Sequence, residues 1–207
     1  MRKVQCENGK YYHVYNRGVD KRSVFLDARD QKRFFQSMGE FNVIDPIGSI
    51  YVNSFRKQKI VEARKENLVN FICYCLNPNH FHFILQQVND KGIERFMHKL
   101  GSGYTTYFNK RYKRSGVLFQ GAYKAKHIDS DRYLLHVSAY VNLNNRIKGR
   151  KNVLSQSSWD EYVMANQQNF CKRDVVLNQF SSASKYREFA ENALQDIRKR
   201  KELAQEL

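Results

Sequence analysis

The chain has 207 residues, 42% of them hydrophobic and 14% aromatic, so it can bury a core as one domain with an appendage. Its 36 lysines and arginines against 20 acidic residues give a formal charge of +16, which favours nucleic acid as a partner over an anionic membrane. It contains no apolar run of about 18 residues and no apolar signal region at the N-terminus, which predicts a cytoplasmic protein without membrane contact. The four cysteines match neither a zinc-ribbon spacing nor a disulfide framework, so buried free thiols are expected.

Hydrophobic patterning predicts strands and helices along the whole chain. Strand patterns, alternating or compactly apolar, occur at 10–16, 71–76, 80–85, 117–120 and 123–128. Helical spacing of apolar residues begins after the N-cap candidate Asp27 and after 129–131, and recurs at 93–108 and 184–207. The basic segment 52–70 is mixed and predicts only a partial helix. The tight turn Asn77-Pro78-Asn79 joins the second and third strands, which should therefore form a hairpin.

This order of elements predicts an α+β fold. We expect an antiparallel sheet with helices packed on one face, ferredoxin-like or RRM-like, followed by a helical extension. The character of the sequence shifts beyond Lys148-Gly149-Arg150. We therefore place a first domain at 1–150 and a C-terminal helical extension at 151–207.

Two histidines in the third predicted strand are the first candidates for chemistry. His80 and His82 alternate with Phe81 and Phe83, so the period of two puts both imidazoles on one face of the strand. Neighbouring imidazoles can share a divalent cation, although such a pair is more often structural because a functional metal site needs a third ligand. Asn144 can supply one through its side-chain oxygen. An oxygen beside two imidazoles would suit Mg²⁺ or Mn²⁺ acting at a phosphate.

Tyr140 is the candidate nucleophile. It lies one helical turn before Asn144, so the two side chains project together. Free tyrosine has a pKa of about 10, so attack on a phosphate would depend on a metal that polarises the phosphate and on aligned geometry. The chain has 13 tyrosines, and spacing alone favours a structural role for any one of them.

Basic residues with few acids among them surround this region, and aromatic residues such as Tyr112, Phe119 and Tyr123 are interleaved with them. This combination is typical of a groove for single-stranded nucleic acid, since unpaired bases stack on aromatic faces while cations follow the phosphates. A solvated charged surface is the alternative. By charge and position, the residues expected to hold DNA are Asn16, Arg17, Arg114, Gln120 and Lys124.

Four short motifs, taken together, carry a family resemblance. They are Tyr12-His13-Val14-Tyr15-Asn16-Arg17-Gly18, Asn77-Pro78-Asn79-His80-Phe81-His82, Gly116-Val117-Leu118-Phe119-Gln120-Gly121 and Tyr140-Val141-Asn142-Leu143-Asn144. The combination resembles the IS200-like single-tyrosine HUH transposases, especially the subgroup of REP-associated tyrosine transposases. The match spans most of the chain, and the combination is specific, whereas any one of these motifs would not be.

The resemblance implies roles for the candidate residues. His80 and His82 would hold a catalytic Mg²⁺ or Mn²⁺, Asn144 would complete the protein ligands, and Tyr140 would attack a DNA phosphate. The resemblance also implies a 5′-phosphotyrosine intermediate on single-stranded or hairpin DNA, with release of a 3′-hydroxyl that can later rejoin strands.

Two other functions are compatible with the same residues. One is a non-catalytic DNA- or RNA-binding module on the same sheet, with histidines that have lost their function. The other is a metal-dependent nuclease that uses water as its nucleophile. The sequence is compatible with either a monomer or a homodimer.

Overall fold

The structure is a computed structural model that describes residues 5–45, 47–50, 66–147, 154–164 and 170–203. Within these ranges the strands are β1 (Tyr11–Arg17), β2 (Val69–Asn77), β3 (His80–Gln87), β4 (Lys124–Ile128) and β5 (Gln156–Ser157). The α-helices are α1 (Ala28–Glu40), α2 (Gly92–Arg111), α3 (Asp131–Asn142), α4 (Trp159–Val163), α5 (Asp174–Leu177) and α6 (Ala183–Leu203). Most of the segment predicted as partly helical, 52–65, and the last residues of the predicted C-terminal helix, 204–207, lie outside the described residues.

The five strands form one sheet in the order β4-β1-β3-β2-β5, and every neighbouring pair is antiparallel. The first four strands have the order of a ferredoxin-like fold. The tight turn at Pro78 and Asn79 joins β2 to β3, as predicted. The expected α+β fold is confirmed.

Helices cover both faces of the sheet, whereas the sequence predicted helices on one face only, because apolar residues of the second face are buried by α3 and the C-terminal helices. One face buries Phe81 and Phe83 of β3 in a core shared with α1 and α2. The other face carries Cys75 and Ile84, and α3 packs there together with α4 and α6. Because side chains alternate along a strand, His80 and His82 lie on the α3 side.

A β-bulge in β2 decides which of its side chains reach this second face. Phe71 pairs with Leu85 and Cys73 pairs with Ile84, so one extra residue, Ile72, is inserted between them. The insertion shifts the alternation of all later side chains by one position. As a result Cys73, Cys75 and Asn77 face α3, although Phe71 belongs to the opposite core.

Side-chain caps begin the helices that flank the sheet. Asp27 Oδ1 accepts a hydrogen bond from the Asp30 main-chain N–H at 3.0 Å, as predicted for an N-cap. Ser130 caps α3 through the Tyr133 N–H at 3.4 Å.

The predicted strand at 117–120 is reduced to a single bridge between Gly18 and Phe119.

The C-terminal residues pack against α3 and the edge of the sheet. β5 pairs with β2, and the buried Tyr186 of α6 bonds to Ser138 and Asn142 of α3. The position of the boundary between domain and extension stays a prediction.

The four cysteines are free thiols and three of them are buried, as expected. In the part of the chain that the structure describes, no helix is both long and apolar enough to cross a membrane.

Candidate active site

The four residues predicted to do chemistry lie together between β3 and α3. The rings of His82 and Tyr140 meet edge to face with their centroids 5.5 Å apart. His80 Nε2 lies 3.2 Å from Asn144 Oδ1. One prediction needs correction: α3 ends at Asn142, because Leu143 leaves the helical conformation, and Asn144 begins a short 3₁₀ turn. The turn still directs the Asn144 side chain at His80.

The protonation of His80 follows from its neighbours. Its Nδ1 lies 2.6 Å from Asn79 Oδ1, which can only accept a hydrogen bond. The proton of a neutral His80 is therefore on Nδ1, and Nε2 keeps a lone pair. This lone pair faces Asn144 and the side-chain amide of Asn77, whose Nδ2 is 3.1 Å away.

The environment of Tyr140 keeps its phenol protonated. Burial raises the pKa of Tyr140, and a hydrogen bond with the Asn144 side chain opposes that shift without cancelling it. At neutral pH the side chain is therefore a neutral phenol, which must lose its proton during any nucleophilic attack. The hydrogen bond with Asn144 places the Tyr140 hydroxyl beside the residue that also faces His80.

The donor set combines imidazole nitrogens, which suit divalent transition metals, with an amide oxygen, which suits Mg²⁺ or Mn²⁺. Among the described residues, no three His, Cys, Asp or Glu side chains are grouped to hold a metal ion. A third protein ligand beside His80 and His82 would therefore be a residue of another type, and Asn144 is the predicted one. The converging lone pairs of His80 Nε2 and Asn144 Oδ1 fit that requirement.

A third histidine, His13 of β1, also lies at the site, although the sequence did not predict a role for it there. Its Nε2 lies 2.9 Å from His82 Nδ1, and the two rings stack with their centroids 5.1 Å apart. Tyr15, directly opposite His82 in the sheet, stacks on the same imidazole at 5.5 Å. Alternation along β1 shows that His13 and Tyr15 share a face. It does not reveal that this face adjoins His82, because that depends on how β1 pairs with β3.

The predicted DNA-binding residues lie in several different places. Arg17 pairs with His80 and Lys124 pairs with Tyr15, so both lie on the face of the histidines. Asn16 lies on the opposite face of β1, and its Nδ2 donates to the Gly121 carbonyl at 3.2 Å. The main-chain N–H of the exposed Gln120 donates to the Arg17 carbonyl.

Arg114 has a different environment at the end of α2. Its guanidinium donates to Asn109 Oδ1 and to the Val117 carbonyl, and it lies over the Phe108 ring. These contacts hold the chain that follows α2. The contribution of all five residues to DNA binding stays a prediction.

The family model described as "Transposase IS200 like" matches residues 47–144, a range that contains His80, His82, Tyr140 and Asn144. That segment, a little under half of the chain, is similar to the IS200-like transposase family. The fold is similar to a solved structure, the REP-associated tyrosine transposase bound to a REP hairpin, with a TM-score of 0.55 and 12% identity over 82% of this chain and 88% of that chain. None of the curated proteins matches the chain.

The segment 47–144 does not contain every residue that contacts the site. His13 lies before it, and Ser155, which bonds to Asn77 at 3.1 Å, lies after it. Both reach the site through the sheet, on β1 and immediately before β5.

Proposed function

We propose that this protein is a metal-dependent DNA transposase that cleaves and rejoins single-stranded or hairpin DNA through a 5′-phosphotyrosine intermediate. One observation supports the proposal most directly: Tyr140 and Asn144 meet His80 and His82 within a segment that matches a transposase family model. A nucleophile, two imidazoles and an amide oxygen are the parts that such a reaction requires.

Tyr140 is the proposed nucleophile. Its Oη forms a bond to phosphorus while the bond between phosphorus and the 3′ oxygen breaks. The phenolic proton is lost and a proton is gained by the departing 3′ oxygen, so the products are a 5′-phosphotyrosine and a free 3′-hydroxyl. Because one phosphodiester replaces another, attack by a 3′-hydroxyl can rejoin strands without an external source of energy.

His80, His82 and Asn144 would hold a divalent cation, Mg²⁺ or Mn²⁺. The chemistry that such a cation supplies is polarisation of the scissile phosphate. Asn144 has a second role, because its side chain bonds to the Tyr140 hydroxyl and thereby holds the nucleophile beside the ligands. Tyr140 is partly buried between α3 and the sheet, which limits the access of competing water.

Charge and position support DNA as the substrate. Arg17 and Lys124 lie on the histidine face of the sheet, at neighbouring positions to His80 and Tyr15. The formal charge of +16 attracts single-stranded and hairpin DNA alike, because both are polyanions. The protein of similar fold was solved with a REP hairpin, which supports a hairpin with single-stranded flanks as the first substrate to test.

The nucleophile can be tested by trapping the covalent adduct. Labelled hairpins with randomised single-stranded flanks are incubated with Mn²⁺ or Mg²⁺ and resolved on a denaturing gel. The wild-type protein should form a denaturation-resistant protein–DNA adduct, and Tyr140→Phe should form none while retaining DNA binding. Tyr133→Phe is the matched control, because Tyr133 is on the same helix but lies under Lys126 of β4.

Each alternative function has its own outcome in this experiment. Cleavage by Tyr140→Phe with no adduct in either protein would indicate a nuclease that uses water. Binding without cleavage by the wild type would indicate a non-catalytic module. An adduct that Tyr15→Phe loses and Tyr140→Phe keeps would identify Tyr15 as the nucleophile.

A further inference from the structure

The orientation of the Asn144 side-chain amide decides whether the proposed site can bind a cation. The oxygen of the amide can coordinate a metal, whereas its NH₂ group cannot. The two orientations have nearly the same shape, so hydrogen bonding must select between them. The contacts around His80 provide that selection.

The selection begins at a main-chain carbonyl, which can only accept hydrogen bonds. Asn79 Nδ2 donates to the Lys21 carbonyl at 3.1 Å, so Asn79 Oδ1 is the atom that faces His80. The 2.6 Å contact with this oxygen requires the proton of His80 on Nδ1. In the neutral form that binds metal, His80 Nε2 is consequently an acceptor.

Asn77 is the next residue in this series. It is 6% exposed, and the bulge in β2 turns it towards α3. An acceptor at His80 Nε2, 3.1 Å away, requires a donor, so the Nδ2 of Asn77 must be on that side. Ser155 Oγ donates to the remaining Asn77 oxygen at 3.1 Å, in agreement with this orientation.

The same Nδ2 reaches Asn144. It lies 2.8 Å from the Asn144 side chain, and a donor there requires the oxygen of Asn144 rather than its NH₂ group. The NH₂ group of Asn144 then faces Tyr140. Each link therefore fixes the next, from the Lys21 carbonyl to the orientation of Asn144.

We propose that Asn77 is a positioning residue that turns the side-chain oxygen of Asn144 towards His80, and that Ser155 holds Asn77 in this orientation. The inference rests on the proposed function, since it concerns the ligands of a divalent cation. It adds a residue of β2 and a residue beyond 151 to the parts of the chain on which the site depends.

Asn77 would affect cation binding in opposite directions as a competitor and as a positioning residue. The sign of the change in Mn²⁺ affinity therefore decides between the two. A cation at His80 Nε2 takes the single lone pair that the Asn77 NH₂ group occupies. If Asn77 were only a competitor for that lone pair, its removal would strengthen cation binding. If Asn77 is a positioning residue, its removal weakens cation binding, because Asn144 then adopts both orientations.

The experiment measures Mn²⁺ affinity of the full-length protein without DNA, from the electron paramagnetic resonance signal of free Mn²⁺. Asn77→Leu should weaken Mn²⁺ binding on the order of tenfold, which is the usual effect of removing a residue that orients a ligand. Asn70→Leu is the matched control: Asn70 is also a side chain of β2, but it bonds to Gln86 at the other end of the strand. Its Mn²⁺ affinity should equal that of the wild type.

A rescue separates orientation from general damage. A carboxylate has two equivalent oxygens, so Asn144→Asp has no wrong orientation. Adding Asn77→Leu to Asn144→Asp should therefore change Mn²⁺ affinity by less than about twofold. Asn77→Ala, which introduces no bulk, is measured in parallel, and thermal unfolding without metal verifies that each variant is folded.

The outcomes distinguish this inference from the proposed function. If the wild type binds Mn²⁺ and His80→Ala abolishes that binding, the metal site is established independently of Asn77. An unchanged or higher Mn²⁺ affinity of both Asn77 variants then overturns the role of Asn77 alone. Wild-type protein that binds no Mn²⁺ overturns the metal site, and the role of Asn77 with it.

Discussion

His13 illustrates how a buried histidine can act through another. Burial, assisted by the nearby Lys126, lowers the pKa of His13 to about 4, so its imidazole is neutral at neutral pH. A neutral His13 can accept a hydrogen bond from the Nδ1–H of His82 across their 2.9 Å contact. His82 then keeps its lone pair on Nε2, the form in which a histidine binds metal.

We therefore predict that His13→Leu weakens Mn²⁺ binding by about tenfold, since the proton of His82 is then free to occupy either nitrogen. The measurement is the same Mn²⁺ titration. His127→Leu is the control, because His127 pairs with Tyr12 and so lies on the other face of the sheet. Equal Mn²⁺ affinity for His13→Leu and wild type would contradict the orienting role.

At the scale of elements, α3 is held in place by hydrogen bonds as well as by apolar packing. The Tyr186 hydroxyl of α6 bonds to Ser138 Oγ at 3.1 Å and to Asn142 Nδ2 at 2.9 Å, and all three residues are fully buried. Asn142 Oδ1 accepts from Ser158 at 2.6 Å. Since Tyr140 lies between Ser138 and Asn142 in α3, the C-terminal residues stabilise the helix that carries the proposed nucleophile.

Removal of the Tyr186 hydroxyl should destabilise the fold. Tyr186→Phe leaves the buried Asn142 NH₂ group without this acceptor, which should lower the free energy of unfolding by about 1–3 kcal/mol. Urea denaturation followed by circular dichroism measures the change. Tyr11→Phe removes a hydroxyl from a half-buried position beside Gln86 and should cost less. Equal losses for the two variants would argue against a special role for Tyr186.

At the scale of the molecule, positive charge and the site share one face of the sheet. The excess of 16 positive charges is spread over the chain, but Arg17 and Lys124 are at positions beside His80 and Tyr15. A strand of DNA that presents a phosphate to Tyr140 would pass these side chains. Neutralising phosphates releases condensed counterions, so DNA affinity should fall as the salt concentration rises.

The contribution of Lys124 can be measured from this salt dependence. If Lys124 contacts a phosphate, Lys124→Ala should weaken binding of single-stranded DNA and reduce the slope of log affinity against log salt by about 0.7. Fluorescence anisotropy at several salt concentrations gives both values. Lys185→Ala, which removes the same charge from α6 where Lys185 pairs with Glu188, should leave the slope unchanged. An identical slope for Lys124→Ala and wild type would remove Lys124 from the DNA-binding surface.

Several parts of this molecule follow from local sequence alone. Alternation in 80–85 puts His80 and His82 on one face, because this relation depends only on the period of one strand. Helical spacing predicted that Tyr140 and Asn144 project together, and they do meet, although Asn144 lies in the 3₁₀ turn after α3. Asp27 as an N-cap and the hairpin at Asn77-Pro78-Asn79 are local in the same sense. The structure has each of these features.

The contacts that His13 and Asn77 make with the site were decided by how the elements pair and pack. His13 reaches His82 only through the register of β1 on β3, and Asn77 faces the site only because the bulge at Ile72 reverses the alternation of β2. Sequence periodicity contains neither the register nor the bulge, since both arise from contacts between strands. The sequence by itself determined which residues could do chemistry. Tertiary packing decided which neighbours orient them, because the hydrogen bonds that fix an amide or an imidazole come from distant parts of the chain.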